Sequence, residues 1–127
     1  MRTRINLDAD PASVGRARLF CATTLEGWGA DTELVATCSL LVSELASNAV
    51  LHARTPFTVA LEHRERLRVE VLDGDPRPPH PCDYRVDALS GRGLHLVEAL
   101  ARASGTTTSA GGKSVWFELD WHAQMVP

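Results

Sequence analysis

Apolar residues recur with two different periods along this chain. In "RTRINL" and again in "TPFTVALEH", "RLRVEVLD" and "SVWFELDW" they alternate with polar residues, as in strands that bury one face. At Leu41, Leu45 and Ala49 they recur at the spacing of a helix that buries one stripe. Together with the capping and turn signals given below, the pattern predicts the element order β-α-α-β-β-long loop-α-β-β.

Capping and turn residues predict where the first elements end. Asp10, followed by proline, suits the start of the first helix, which runs to about Glu26 and ends at "GWG". Asp31 suits the N-cap of the second helix, which continues to about Ala53. The "RER" between the two strands that follow suits a hairpin turn. These signals predict two helices followed by a β-hairpin.

The stretch after Gly74 is long and rich in proline. About twenty residues lack periodicity, and loops of that length in a small domain are usually functional or disordered. Ser90 suits the cap of a third helix beginning near Gly91, and Gly105 suits its C-cap. The inward residues of that helix are predicted to be Leu94, Val97 and Leu100. A closing hairpin is predicted to turn at Gly111–Gly112.

These elements predict an α+β protein. Helices packed on one face of a mostly antiparallel, mixed sheet form a two-layer sandwich. The length of 127 residues and the hydrophobic content of 44% suit a single domain covering residues 1–127. The net charge of −3 does not favour a nucleic-acid partner. Three scattered cysteines predict reduced thiols and a cytoplasmic location, and no stretch is expected to approach the length of a membrane span.

Two polar residues lie beside the apolar stripe of the second helix. In "LLVSELASNAVLHA", Glu44 and Asn48 are four positions apart and therefore share one face. A carboxylate and an amide beside a core stripe cost free energy unless they have hydrogen-bonding partners or a functional role. An amide oxygen is a suitable Mg²⁺ ligand, and a carboxylate one turn away can reach the same region. The alternative is that Glu44 and Asn48 lie at the solvent-exposed edge of an amphipathic helix and have no functional role.

Two further motifs contain glycine. "VEVLDGDPRPP" is a strand ending in Asp73-Gly74, and "GRGLHLV" places Gly91, Arg92 and Gly93 at a helix start. Backbone N–H groups at a helix start bind anions, and glycine allows close approach. Taken alone, each motif is commonly no more than a turn or a cap.

Together, and in this order, the three stretches and the closing "GGKSVWFEL" resemble the Bergerat-fold ATP-binding superfamily. The short single-domain form is similar to the bacterial anti-sigma-factor serine kinases. The resemblance covers about Asp10 to Trp121. It implies ATP and Mg²⁺ as cofactors and the histidine kinase-like ATP-binding fold.

The resemblance also implies a role for each motif residue. Asn48 would bind Mg²⁺, and Glu44 would be the general base or would hold the attacking hydroxyl. Asp73 would accept a hydrogen bond from the adenine amino group, and Gly74 would let the backbone approach the base. The remaining residues would contact phosphates (Gly91, Gly93), the terminal phosphates or a partner (Arg92), and adenine (Ser114). Lys113, in the Gly-Gly hairpin, is expected to be solvated.

The predicted function is therefore an anti-sigma-type kinase. It would phosphorylate a serine or threonine on an antagonist protein (an anti-anti-sigma factor) and would bind a sigma factor. A homodimer is left open, and neither nucleic acid nor a membrane is expected as a partner. The alternative is a protein-binding module whose nucleotide site is structural or lost. Glu44 favours the enzyme; the proline-rich run after Gly74, where the superfamily often has a second glycine, favours the module. A histidine-kinase catalytic domain ranks third.

Overall fold

The computed structural model describes residues 1–76 and 95–123. Its elements are β1 (Arg2–Leu7), α1 (Ala12–Gly27), α2 (Thr32–Asn48), a π-helical turn (Ala49–Ala53), β2 (Phe57–His63), β3 (Arg66–Asp73), α3 (residues 95–100), β4 (Ala103–Ser109) and β5 (Gly112–Asp120). Among these described residues, the order of helices and strands agrees with the order predicted from the sequence. The predicted proline-rich loop, from residue 77 onwards, and the predicted start of the third helix lie outside the described residues.

The five strands form one sheet in the order β1-β2-β3-β5-β4. Every pair of neighbouring strands among the described residues is antiparallel. Two tight hairpins, β2–β3 and β4–β5, meet along a central ladder that pairs Arg66 with Asp120 at one end and Asp73 with Lys113 at the other. The predicted α+β class is confirmed.

The core lies between the sheet and the two long helices. Alternate residues of β2, β3 and β5 are buried, and the buried faces of α1 and α2 complete the same cluster. The largest side chains that are almost fully buried are Phe57, Phe117, Leu25, Leu41, Leu61 and Leu67. The opposite face of the sheet carries charged residues, and the Arg68 guanidinium lies 4.2 Å from the Trp116 ring centroid.

An aspartate lies at each predicted helix start, but only Asp31 is the N-cap residue. Its Oδ1 accepts a hydrogen bond from Leu34 N at 2.8 Å. The N-cap position of α1 is Pro11, one residue later than predicted, and Asp10 Oδ1 accepts a hydrogen bond from Ala12 N at 2.8 Å. Each carboxylate satisfies a backbone donor that the first helical turn leaves without an intrahelical partner.

The continuous helical segment Thr32–Ala53 has a mean hydropathy of 1.6. By length and composition alone, it is long and apolar enough to cross a bilayer. The expectation that no stretch has this length was therefore wrong. The segment supplies buried residues to the core, and a core helix of this kind passes the same test.

Two predictions about the third helix were wrong. Gly105 is not a C-cap, because the helix ends at residue 100 and Gly105 lies within β4. A Cβ at Gly105 would lie 2.8 Å from Cζ2 of Trp116, so the glycine makes room for the indole ring. Leu100 is 46% exposed, whereas Val97 is buried as predicted.

Candidate functional site

The second helix changes its hydrogen-bond pattern at Asn48. This residue ends α2, and the next five residues form a π-helical turn in which Arg54 N donates to Ala49 O at 2.9 Å. Arg54 then takes a left-handed conformation, with φ of 57°, which ends the helix. Single π-helical turns within α-helices are rare and often lie at functional sites.

Glu44 and Asn48 are both half-buried, one turn apart, as the sequence predicted. The Oδ1 atom of Asn48 is inaccessible to solvent and accepts no hydrogen bond within the described part of the chain. A buried polar atom without a partner costs about 1–3 kcal/mol. Such an atom therefore calls for an explanation, and a ligand is one.

Thr55 connects the end of the π-helical turn to the end of β3. Its Oγ1 accepts a hydrogen bond from Gly74 N at 2.8 Å, and the π-helical turn and α2 both contact β3. The structure therefore brings the C-terminal part of α2 and the Asp73–Gly74 corner to the same part of the molecule. Sequence reasoning missed Thr55, because no motif marks it.

The Asp73 carboxylate is almost fully buried and already occupied. Its side chain is 4% exposed, and Lys113 Nζ lies 3.1 Å from Oδ2 and 3.2 Å from Oδ1. Asp75 N also donates to Oδ1, at 2.8 Å. The Lys113 side chain is 9% exposed, so the expectation that it is solvated was wrong.

Ser114 does not join Asp73. It pairs with Leu72 on the outer face of the sheet, where its Oγ donates to Glu70 Oε2 at 2.8 Å. Because successive residues of a strand point to opposite faces, Lys113 takes the inward position instead. The alternation in "SVWFELDW", which predicts that Val115 and Phe117 lie on the buried face, already contained this signal.

Glycines allow close packing at one end of this site. Gly112 has φ of 146°, and a Cβ there would overlap the carbonyl oxygen of Asp73. At Gly74 a Cβ would meet only ordinary contacts with Thr55, at 3.4 Å. Packing of the described residues therefore requires a glycine at 112 but not at 74. The phosphate-binding candidates Gly91, Arg92 and Gly93 lie outside the described residues.

The chain belongs to the histidine kinase-like ATPase domain family, whose sequence model matches residues 7–119. Membership of an ATPase domain family implies ATP as the ligand. No curated protein matches the sequence.

The fold is shared with solved structures, among them the following three. A crystal structure of the RsbU and RsbW domains of Rv1364c from Mycobacterium tuberculosis covers the whole chain with a TM-score of 0.76 and 23% identity. A blue-light activated histidine kinase from Erythrobacter litoralis covers 87% with a TM-score of 0.54 and 24% identity. The histidine kinase domain of that protein gives a TM-score of 0.52 and 28% identity over 87% of the chain. The chain spans 35%, 41% and 60% of those three chains respectively.

Proposed function

We propose that this protein binds ATP·Mg²⁺ and transfers the γ-phosphoryl group to a serine or threonine of an antagonist protein. The observation that carries the proposal is the Oδ1 atom of Asn48, which is buried without a hydrogen-bond donor among the described residues. Mg²⁺ prefers hard oxygen ligands, and an amide oxygen of this kind fits that preference. The proposed ligand would satisfy the atom that folding leaves without a partner.

The proposed chemistry uses few protein groups. The attacking serine oxygen bonds to the γ-phosphorus, the bond to the β,γ-bridging oxygen breaks, ADP leaves, and the hydroxyl proton passes to the Glu44 carboxylate. When bound, Mg²⁺ neutralises charge on the phosphates. Gly91, Arg92 and Gly93 would contact the phosphates, and Asp73 would accept a hydrogen bond from adenine. Glu44 is one helical turn from Asn48, which supports its role as the base.

The proposed partners are a sigma factor and the antagonist that receives the phosphate, in the cytoplasm. The resemblance to anti-sigma-factor kinases supports them, as does the fold shared with the chain that contains RsbU and RsbW domains. A homodimer is compatible with the proposal but is not needed for it.

The nucleotide part of the proposal is tested by calorimetry with ATP and ADP, with and without Mg²⁺. We expect Mg²⁺ to strengthen ATP binding to the wild type, because the metal satisfies Asn48. The Asn48→Ala variant should lose most of that Mg²⁺ dependence. Equal affinities for the two proteins, with and without the metal, would refute the metal assignment.

The transfer step is tested by mass spectrometry of an antagonist encoded in the same genome, after incubation with ATP·Mg²⁺. General bases contribute on the order of 10²–10⁴-fold in rate. Glu44→Ala should therefore keep ATP affinity and lose nearly all phosphorylation. Phosphorylation by the variant at the wild-type rate would exclude Glu44 as the base.

A second candidate is a protein-binding module without catalysis. The ion pair between Lys113 and Asp73 favours this candidate, because the carboxylate expected to accept a hydrogen bond from adenine is already paired with the lysine. This candidate predicts that the wild type binds the antagonist and never phosphorylates it. The same mass spectrometry therefore separates the two candidates.

A further inference from the structure

We propose that the ion pair between Lys113 and Asp73 acts as a latch: the ammonium group blocks the carboxylate that would bind adenine. Lys113 must move away before adenine can bind. The inference rests on the proposed function, since it assumes that Asp73 accepts a hydrogen bond from adenine. It adds a residue that sets nucleotide affinity and to which the resemblance assigned no role.

The first argument is occupancy of the acceptor atoms. Lys113 Nζ contacts both oxygens of Asp73, at 3.1 and 3.2 Å, and Asp75 N takes a further position on Oδ1. An adenine amino group needs one of these oxygens within about 2.7–3.2 Å. These contacts occupy three of the roughly four acceptor positions of a carboxylate, and the ammonium group lies beside both oxygens, so it and the base compete for the same place.

The second argument is burial. The Asp73 and Lys113 side chains are only 4% and 9% exposed, so a base cannot reach the carboxylate while the ammonium group remains there. Lys113 also donates to the carbonyl oxygen of Asp75 at 3.4 Å. This second contact ties the lysine to the backbone that follows Gly74.

The third argument is that the latch can move. Lysine has a flexible four-carbon stem and a compact charge with three donors, so its side chain can leave without a change in the sheet. Lys113 follows Gly111 and Gly112 at the start of β5, at the end of the central ladder. Opening the latch exchanges a buried ion pair for a base contact, which costs affinity.

The test is calorimetry on the full chain, comparing wild type with Lys113→Met, which removes the charge at similar length. We expect the variant to bind ATP·Mg²⁺ about tenfold more tightly or better, the effect of relieving about 1.4 kcal/mol of competition. Binding of tripolyphosphate·Mg²⁺ should not change, because that ligand has no base. Arg64→Met removes the same charge at the exposed β2–β3 turn and should leave ATP affinity unchanged.

The outcomes separate this inference from the proposed function. If the wild type binds ATP and Lys113→Met binds it equally or more weakly, the latch is wrong and the nucleotide site stands. If neither protein binds ATP, both are wrong. Binding by the variant alone would support the latch and would favour the non-catalytic module for the native chain.

A second measurement needs no substitution, and it decides the matter if Lys113→Met does not fold. Lys113 is the only lysine of the chain, so ¹⁵N-lysine labelling gives a single side-chain ammonium signal in NMR spectra. ATP·Mg²⁺ should shift that signal as the ion pair opens, and tripolyphosphate·Mg²⁺ should not. An unchanged signal at saturating ATP·Mg²⁺ would overturn the latch.

Discussion

The side chains of Asn48, at the end of α2, and Asp73, at the end of β3, differ in whether the protein itself supplies their hydrogen-bond donors. Among the described residues, nothing donates a hydrogen bond to Asn48 Oδ1, whereas the Asp73 carboxylate accepts bonds from Lys113 and from Asp75 N. Leaving an acceptor without a donor costs stability, and pairing a buried charge offsets part of the cost of burying it. In the proposed nucleotide complex, a ligand would supply the first contact and would replace the second.

Gly112 allows the start of β5 to pack closely against the end of β3. Gly112→Ala should destabilise the protein by roughly 1–3 kcal/mol or more, because alanine is strained at this φ and its Cβ would overlap the Asp73 carbonyl oxygen. Gly111→Ala is the matched control, since a Cβ there meets nothing within 4 Å. Urea denaturation of both variants measures the difference. Equal stabilities would mean that the close approach at residue 112 is easily relieved.

His63 makes stability depend on pH. Its ring stacks on Trp121 with centroids 3.6 Å apart, and burial, followed by the charge of the N-terminus, lowers its pKa below the ordinary 6.5. The unfolded chain therefore takes up the proton more readily than the folded one. The stabilisation is present above about pH 6.5 and is lost as the pH falls through the lower, folded-state pKa.

Thermal melting at pH 7.5 and pH 5.5 checks this expectation. The loss of Tm on acidification should be smaller for His63→Gln than for the wild type. His95→Gln changes an exposed histidine on α3 and serves as the control. A His63→Gln variant with the full wild-type loss would assign the pH dependence to other groups.

At the scale of elements, the sequence predicted the order of helices and strands because each buries one face with a regular period. It could not predict the π-helical turn after Asn48, because five residues are too few to show a period different from that of the α-helix before them. Gly105 was misassigned because glycine marks both helix ends and close packing, and only the ring of Trp116 distinguishes them. Ser114 was chosen from the resemblance, whereas strand alternation places it on the outer face of the sheet and Lys113 on the inner face.

The N-cap of α2 should contribute measurably to stability. Asp31→Ala removes the acceptor of Leu34 N and should cost about 1 kcal/mol, within the range of 0.5–2 kcal/mol seen for such caps. Asp8→Ala changes an exposed aspartate between β1 and α1, away from either helix cap, and should have a smaller effect. Urea denaturation of the two variants measures the difference. Equal losses would show that the cap is replaced by water.

At the scale of the whole molecule, ligand binding should raise the melting temperature. A ligand at one hundred times its Kd adds about 2.7 kcal/mol to stability, so ATP·Mg²⁺ should raise Tm by several degrees. Asn48→Ala should reduce this rise at the same concentrations. Differential scanning calorimetry across a range of ATP·Mg²⁺ concentrations makes the measurement. An unchanged Tm at millimolar ATP·Mg²⁺ would contradict the nucleotide site.

The central ladder between β3 and β5 has a consequence for the order of folding. Each of the two hairpins is closed by residues close in sequence, but the contact between Asp73 and Lys113 joins residues 40 positions apart. Local turns close faster than long-range pairings. The ion pair should therefore form only after the hairpins have docked, late on the folding path. Lys113→Met should then accelerate unfolding and leave the folding rate nearly unchanged in stopped-flow measurements.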